Sequence, residues 1–260
     1  MFEPIQPTGI LKNHIKNYCV VEISSSLDFM PESRVFPCGL VSLVFHYGMP
    51  SKFKAKNEKA HVEPQLIICG QQSSFYDLAL AGKTGMVLVF FKPHGVQSFF
   101  NLPVSELSNQ NLALQDLLKD EASELEEKLF KSKNNAERIS QLEAFLIKRL
   151  EQKNDFDRIS HAIRLIEQSK GQVRTRQLAS EVCLSIKQFE RIFSRQVGLN
   201  PKKFSSIIRF QEVVQTKNKF KSIGMHQLAI EHGYFDQSHF IHDFKSLTEL
   251  TPAAFFKAKA

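Results

Sequence analysis

The chain has 260 residues, enough for two domains that each bury a core, with a composition ordinary for a soluble globular protein and a formal net charge of +7. Its most apolar run, Met86 to Phe91, is too short to span a bilayer, and Met1 to Pro7 lacks the basic segment and long apolar run of a cleavable leader, so a cytoplasmic location without a membrane partner is expected. Cys19, Cys38, Cys69 and Cys183 are scattered with no CxxC pair, which excludes a zinc-ribbon pattern or a disulfide framework and suits a reducing compartment.

In chain order, Tyr18 to Ile23, Arg34 to Tyr47, Gln65 to Gln71 and Thr84 to Pro93 are rich in Val, Ile, Leu and Phe and are separated by Pro, Gly and Ser clusters. Such runs predict strands. The Lys-rich stretch Ser51 to His61 reads as an exposed, mobile loop between them. Short strands with turn signals predict a small barrel or sandwich, a shape that can enclose a cavity.

From Pro103 the spacing turns helical, with Leu112, Leu114, Leu117 and Leu118, then Leu125, Leu129 and Phe130, then Ile139, Leu142, Phe145, Leu146 and Leu150. The last series is an amphipathic stripe of about three turns. It either packs on the strands or pairs two chains. Glu151 to Asp157 is polar and reads as a linker, which divides the chain into a barrel-like unit with following helices over 1–150 and a helical unit over 155–260. The expected fold class is α+β.

Residues 155–260 carry 17 Lys+Arg against 10 Asp+Glu, so the whole formal surplus of +7 lies there and the rest of the chain is neutral. A basic domain on a neutral partner suits a phosphate backbone, because each nearby Lys or Arg releases condensed counterions; a solvated face kept for solubility would look similar. Helical periodicity runs through the whole region. Ile159, Ile163 and Ile166 line a first helix that stops near Gly171, and Leu178, Ala179 and Val182 line a short one from Thr175. Ser185 suits an N-cap before Ile186, Phe189, Phe193 and Val197, which share the buried face of a helix ending at Gly198. Pro201 opens a helix toward Lys217 that would span about 25 Å.

Then the pattern repeats. Phe189, Phe193, Gly198, Leu199 and Pro201 recur 51 residues later as Phe240, Phe244, Glu249, Leu250 and Pro252, and Leu178-Ala179 recurs as Leu228-Ala229. One small unit is built twice. A short helix, a tight turn and a longer helix with an apolar inner face make a helix-turn-helix, whose second helix can enter a DNA major groove. On the first such helix Lys187, Glu190 and Arg191 form an outward stripe near the N-terminus; Arg191 could hold guanine O6 and N7, and Glu190 could accept from a cytosine amine. Surface i to i+4 pairing, of Glu190 with Ser194 or of Lys187 with Arg191, is the plainer alternative. The second helix offers Gln237, Ser238, His239, Ile241, His242 and Lys245, with His242 where the first copy has Arg191. A firmer base-specific grip is therefore expected from the first unit.

The segment Leu228-Ala229-x3-Gly233-Tyr234-x-Asp236-x-Ser238-His239-Phe240-x3-Phe244-Lys245, with Leu250-Thr251-Pro252, closely resembles the signature of the AraC/XylS family of bacterial transcriptional regulators. Upstream the match runs through Leu178-Ala179, Phe189, Arg191, Phe193, Gly198, Pro201, Phe204 and Arg209-Phe210, so it covers about residues 157–257. The resemblance implies two helix-turn-helix units bridged by a rigid helix, with reading helices in successive major grooves on one face of double-stranded DNA. Positions matching the family's base readers are Lys187, Glu190 and Arg191, then Gln237, Ser238, Ile241 and His242. Ser185, Arg195, Lys202, Lys203, Arg209, His239 and Lys245 are expected on the DNA backbone, where Ser238 also tends in the family. Leu178, Ala179, Phe189, Phe193, Gly198, Pro201, Ala229, Gly233, Phe240, Phe244 and Pro252 are the structural anchors. Glu249 departs from the usual Gly and requires the helix to end at a cost or differently.

Phe90-Phe91-Lys92-Pro93-His94-Gly95, followed by Phe99-Phe100 and Leu102-Pro103, resembles the small cupin-like β-barrel domains found ahead of this module, which sense a small molecule or mediate dimerisation. His46, His61 and His94 lack the spacing of a barrel metal site, so neither metal nor cofactor is expected. The function implied is a sequence-specific transcriptional regulator, commonly an activator that works with RNA polymerase, with an effector ligand or a homodimer in control. An enzyme of the alkyl-transfer repair type is the alternative, but Cys19, Cys38 and Cys69 supply no Cys-rich cluster, so no catalytic residue is assigned. An architectural DNA binder without sequence preference is the third reading.

Overall fold

A computed structural model describes residues 4–56, 58–151 and 155–258. Nine strands and ten α-helices follow in chain order among them. Strands β1 (Ile15–Glu22), β2 (Ser33–Val35), β3 (Ser42–His46), β4 (Lys52–Ala55), β5 (His61–Val62), β6 (Leu66–Cys69), β7 (Tyr76–Ala79), β8 (Gly85–Phe91) and β9 (Asn111–Ala113) make two antiparallel sheets, ordered β1-β8-β3-β6-β9 and β2-β7-β4-β5. The arrangement is cupin-like and open, since no ladder joins the sheets among the described residues.

Alternation of side chains explains why the central strand β3 is buried along its length. Leu43 and Phe45 enter a core shared with the following helices, whereas Val44 joins Val21, Ile67 and Met86 on the opposite face, toward the second sheet. Two expectations for this region are corrected. The run Arg34 to Tyr47 is not one strand: it breaks at Pro37 and at Gly39, whose φ of +72° is left-handed, so that β2 and β3 belong to different sheets. The Lys-rich stretch is not all loop: it contains β4 and the first residue of β5, and Lys52 and Lys54 alternate with buried Phe53 and Ala55, a period-two pattern masked by lysine content.

Leu112 belongs to β9, paired with β6, rather than to a helix. Helices α1 (Leu114–Leu118), α2 (Asp120–Lys131) and α3 (Asn135–Arg149) then close one face of the first sheet. Ile139, Leu142 and Leu146 enter the core with Leu125 and Leu129, and Tyr18 Oη donates to Glu143 Oε1 at 2.9 Å. The amphipathic stripe thus packs on the strand core of its own chain. Of the linker expected over Glu151 to Asp157, residues 152–154 lie outside the described residues.

The C-terminal domain is all helical: α4 (Phe156–Gln168), α5 (Thr175–Glu181), α6 (Ile186–Val197), α7 (Pro201–Lys219), α8 (Met225–Glu231), α9 (Gln237–Thr248) and α10 (Pro252–Ala258). The bridging helix α7 has 19 residues, about 28 Å at 1.5 Å each. It is the common wall of the domain's core. Phe193 meets Phe204 of α7 at 5.7 Å and Phe244 meets Phe210 of α7 at 5.1 Å, so each unit seats its aromatic pair on a different part of one helix. Each such buried Phe contributes about 1.5–3 kcal/mol. No helix among the described residues is long and apolar enough to cross a membrane.

Candidate nucleic-acid interface

In the first unit, α5 and α6 are joined by a four-residue turn, and Leu184 N–H donates to Ala179 O at 2.9 Å. The turn requires left-handed Cys183, at φ +55°. Ser185 then caps α6 in a capping box: its Oγ accepts from Gln188 N–H at 3.3 Å, while Gln188 Oε1 accepts from Ser185 N–H at 3.2 Å. Gly198 closes the helix at φ +91°. The second unit is the same device with the left-handed costs exchanged. Its turn, one residue longer, uses Gly233 at φ +70°, and its helix ends on Glu249 at φ +61°. Each unit therefore has one glycine and one strained residue, at opposite ends of its reading helix.

With the apolar faces seated on α7, the remaining faces of the reading helices are turned outward. Lys187, Glu190 and Arg191 are all exposed on α6, as are Ser185 and Arg195. On α9 Gln237, Ser238, His239, Ile241, His242 and Lys245 are exposed, and Asp236 caps the helix by accepting from His239 N–H at 2.7 Å. Both helix N-termini are open to solvent, where the positive end of the backbone dipole attracts phosphate. Arg191 and Arg195 share a crevice with Gln97 and Asn101 of the N-terminal domain and with Asp155.

Leu178, Ala179, Phe189, Phe193, Pro201, Ala229, Phe240, Phe244 and Pro252 are buried, and a Cβ at Gly233 would come within 2.5 Å of Gln172 Oε1. Three residues expected on the DNA backbone diverge from one another. Lys202 is exposed. Lys203 is half-buried, with Nζ 3.5 Å from Ser246 Oγ, and burial holds its ammonium below the ordinary value, partly offset by the Asp243 carboxylate. Arg209 is turned inward: Nη2 donates to Gly171 O at 2.8 Å and the guanidinium lies 5.0 Å from the Tyr234 ring. That places it in the packing of α4 and α8 against α7.

Several contacts carry no local sequence signal because their partners are distant in the chain. Asp243 ties α9 to α7, accepting from Ser206 Oγ at 2.7 Å and from Tyr234 Oη at 3.2 Å. The N-terminal domain holds the far ends of both reading helices. Ser108 Oγ donates to Gly198 O, Phe75 N–H donates to Leu247 O at 3.0 Å, and Lys56 Nζ pairs with Glu249 at 2.7 Å. Phe235, just before the second cap, is 92% exposed, whereas Leu184 at the same place in the first unit is half-buried.

Residues 178–258 match the family model of a helix-turn-helix domain, and residues 3–113 match that of a domain of unknown function, DUF6597. A protein of Haemophilus influenzae described as an uncharacterized HTH-type transcriptional regulator is 27% identical over 96 residues, which is 37% of this chain. The match spans about a third (32%) of that relative's length. Among solved structures, ToxT from Vibrio cholerae is 13% identical, with 92% of this chain and 97% of that one covered at a TM-score of 0.45. A fatty-acid-bound form of ToxT from Vibrio cholerae, 14% identical, covers 92% and 93% at 0.42. The AraC-like transcriptional activator CuxR is 13% identical, with 83% and 86% covered at 0.28.

Proposed function

We propose that the C-terminal domain, whose residues 178–258 match a helix-turn-helix domain, is a double helix-turn-helix of the AraC/XylS type and that the protein is a sequence-specific DNA-binding regulator of transcription. Residues 155–260 form its DNA-binding unit and residues 1–150 its sensing unit, which responds to a small molecule or to pairing of chains. The observation that carries this reading is the pair of outward reading faces, Lys187-Glu190-Arg191 and Gln237-Ser238-Ile241-His242, set on one bridging helix in the part of the chain that holds the charge surplus. Arg191 and Glu190 suit guanine and cytosine edges, Gln237 an adenine edge, and Ile241 a thymine methyl group. Ser185, Arg195, Lys202, His239 and Lys245 surround those faces and suit phosphate contacts; Lys203 and Arg209 serve packing first.

Activation, with RNA polymerase as the partner, and a cytoplasmic setting complete the proposal. Selection from pooled double-stranded oligonucleotides with the full chain tests it. The expected product is a motif of two half-sites about one helical turn apart. Recovery of no preferred sequence, with binding that only tracks salt, would leave a non-specific architectural binder instead.

A further inference from the structure

We propose that the space between the two sheets binds a small, mainly apolar molecule carrying a hydroxyl or amino group, and that the segment Val35–Leu40 passes its occupancy to the bridging helix α7. The second half rests on the regulatory function proposed above; the first half does not.

The space has a volume of about 410 Å³, within the range of small-molecule sites. It arises because inward residues of the two sheets are mostly apolar and do not meet: Val44, Met86 and Leu88 line it from the first sheet, Phe53 and Leu78 from the second. Against this lining, three polar residues gather around Glu63. Asn111 Nδ2 donates to Glu63 Oε1 at 2.6 Å, His46 Nε2 lies 3.7 Å from Glu63 Oε2, and Ser51 O accepts from Glu63 N–H at 3.0 Å. His46 and Ser51 are each 1% exposed and Glu63 is 6% exposed. Yet both His46 ring nitrogens, Ser51 Oγ and Asn111 Oδ1 have no hydrogen-bond partner among the described residues.

Buried polar atoms are costly without partners, and four in one place mark a site built to be completed from outside the chain. Asn111 Oδ1 only accepts, so a group that meets it donates, as a hydroxyl or amine does, while Ser51 Oγ and the His46 ring can each donate to or accept from the same group. An apolar body then fills the remaining volume.

The segment between β2 and β3 has two sides. Val35, Phe36, Cys38 and Leu40 line the cavity. The same segment is fastened to the C-terminal domain: the Phe36 ring is 4.9 Å from Phe255 and 6.1 Å from Phe210, and Gln211 Nε2 of α7 donates to Pro37 O at 3.2 Å. Gly39 lies so close to α7 that a Cβ there would be 3.2 Å from Phe204. A ligand that displaces this wall therefore pushes on the helix that joins the two reading units. Cys38 lines the cavity and is exposed, so an occupant of the cavity covers its thiol.

2-Naphthol is a suitable probe because the chain has no tryptophan to obscure its fluorescence. The full chain should bind it saturably, and saturation should slow alkylation of Cys38 by iodoacetamide while leaving exposed Cys183 unchanged. Naphthalene, which lacks the donor, should bind about tenfold more weakly, the effect of one hydrogen bond. Leu88→Trp should abolish binding by filling the space, and Glu63→Gln, nearly isosteric, should weaken naphthol but not naphthalene. Absence of saturable binding, or binding that leaves Cys38 unprotected, overturns the site; equal affinity for naphthalene overturns the donor assignment.

Saturating naphthol should also shift affinity for the selected DNA about fivefold or more, within the usual range of coupling. Gln211→Ala and Phe36→Leu should still bind naphthol but lose that shift. Unchanged DNA affinity in the unaltered protein overturns the transmission and spares the cavity. Failure to find any preferred DNA sinks the regulatory reading and the transmission with it, while the naphthol and Cys38 results still judge the cavity.

Discussion

Lowering the pH from 7 to 5 should weaken the junction between the two domains through His94. The imidazole is 5% exposed, its Nδ1 has no partner, and its ring stands 4.7 Å from Phe156 at the start of α4. His14 flanks the same ring at 4.9 Å. Burial foremost, then the charges of Lys92, His14 and Arg164, pushes the His94 pKa from an ordinary 6.5 down to about 3. The unfolded chain therefore binds the proton between those two values while the folded chain does not, so stability is full above 6.5 and falls as the pH falls through that window. Integrated from pH 7 to pH 5, this single group costs about 2 kcal/mol. His94→Gln keeps a polar side chain without a titrating proton. Urea unfolding of the two proteins at pH 7, 6 and 5 should show the gap between them changing by about that amount, with the unaltered protein losing more. Carboxylates raised by burial, such as Glu167, are common to both proteins and cancel in the difference. Parallel pH curves would refute the buried, neutral histidine.

Arg191→Ala should relax preference at one base position of the selected site and cost about 1–3 kcal/mol there, read by competition binding on single-base variants at fixed salt; an equal loss on every sequence means that Arg191 touches only phosphate. Cys183→Gly should stabilise the first unit by about 1 kcal/mol, because the residue sits at φ +55° with an exposed side chain, and a lowered melting temperature would contradict the strain argument. Ser185→Ala removes a capping box and should cost about 1 kcal/mol of unfolding free energy, an effect absent if α6 is held by its Phe pair alone.

The helical half of the fold was legible because its information is local. Phe189, Phe193, Phe240 and Phe244 recur at helical spacing, Ser185 and Pro201 stand at helix starts, and Gly198 at a helix end, so elements and anchors could be placed within a residue or two. The sheet half was less legible for two physical reasons. Where strands are buried on both faces, as in β3, alternation disappears; where lysines flank the inward residues, as in β4, composition hides it. The exposed reading faces follow from periodicity, whereas the inward turn of Arg209 depends on Gly171 and Tyr234, which no spacing rule brings near it. The unpartnered group around Glu63 was invisible for the same reason. His46, Ser51 and Asn111 come from separate strands and loops and meet only once the sheets form.

The unequal copies of the repeat acquire a common role at one position. Gly198 and Glu249 occupy the same place in the two units, both in left-handed backbone, and both are held by the N-terminal domain, one through Ser108 and the other through Lys56. A helix C-terminus leaves carbonyl groups unsatisfied, so it is a natural place for a neighbouring domain to attach. Phe75 uses another, at Leu247. Attachment at these ends leaves both reading N-termini open while fixing the helices from behind. Glu249 is then explained without invoking DNA: the strain at φ +61° is accepted where a glycine could not supply the carboxylate that meets Lys56. Because the pair is exposed, its direct contribution is at most about 1 kcal/mol, too little to hold the domains together but comparable to the strain it offsets.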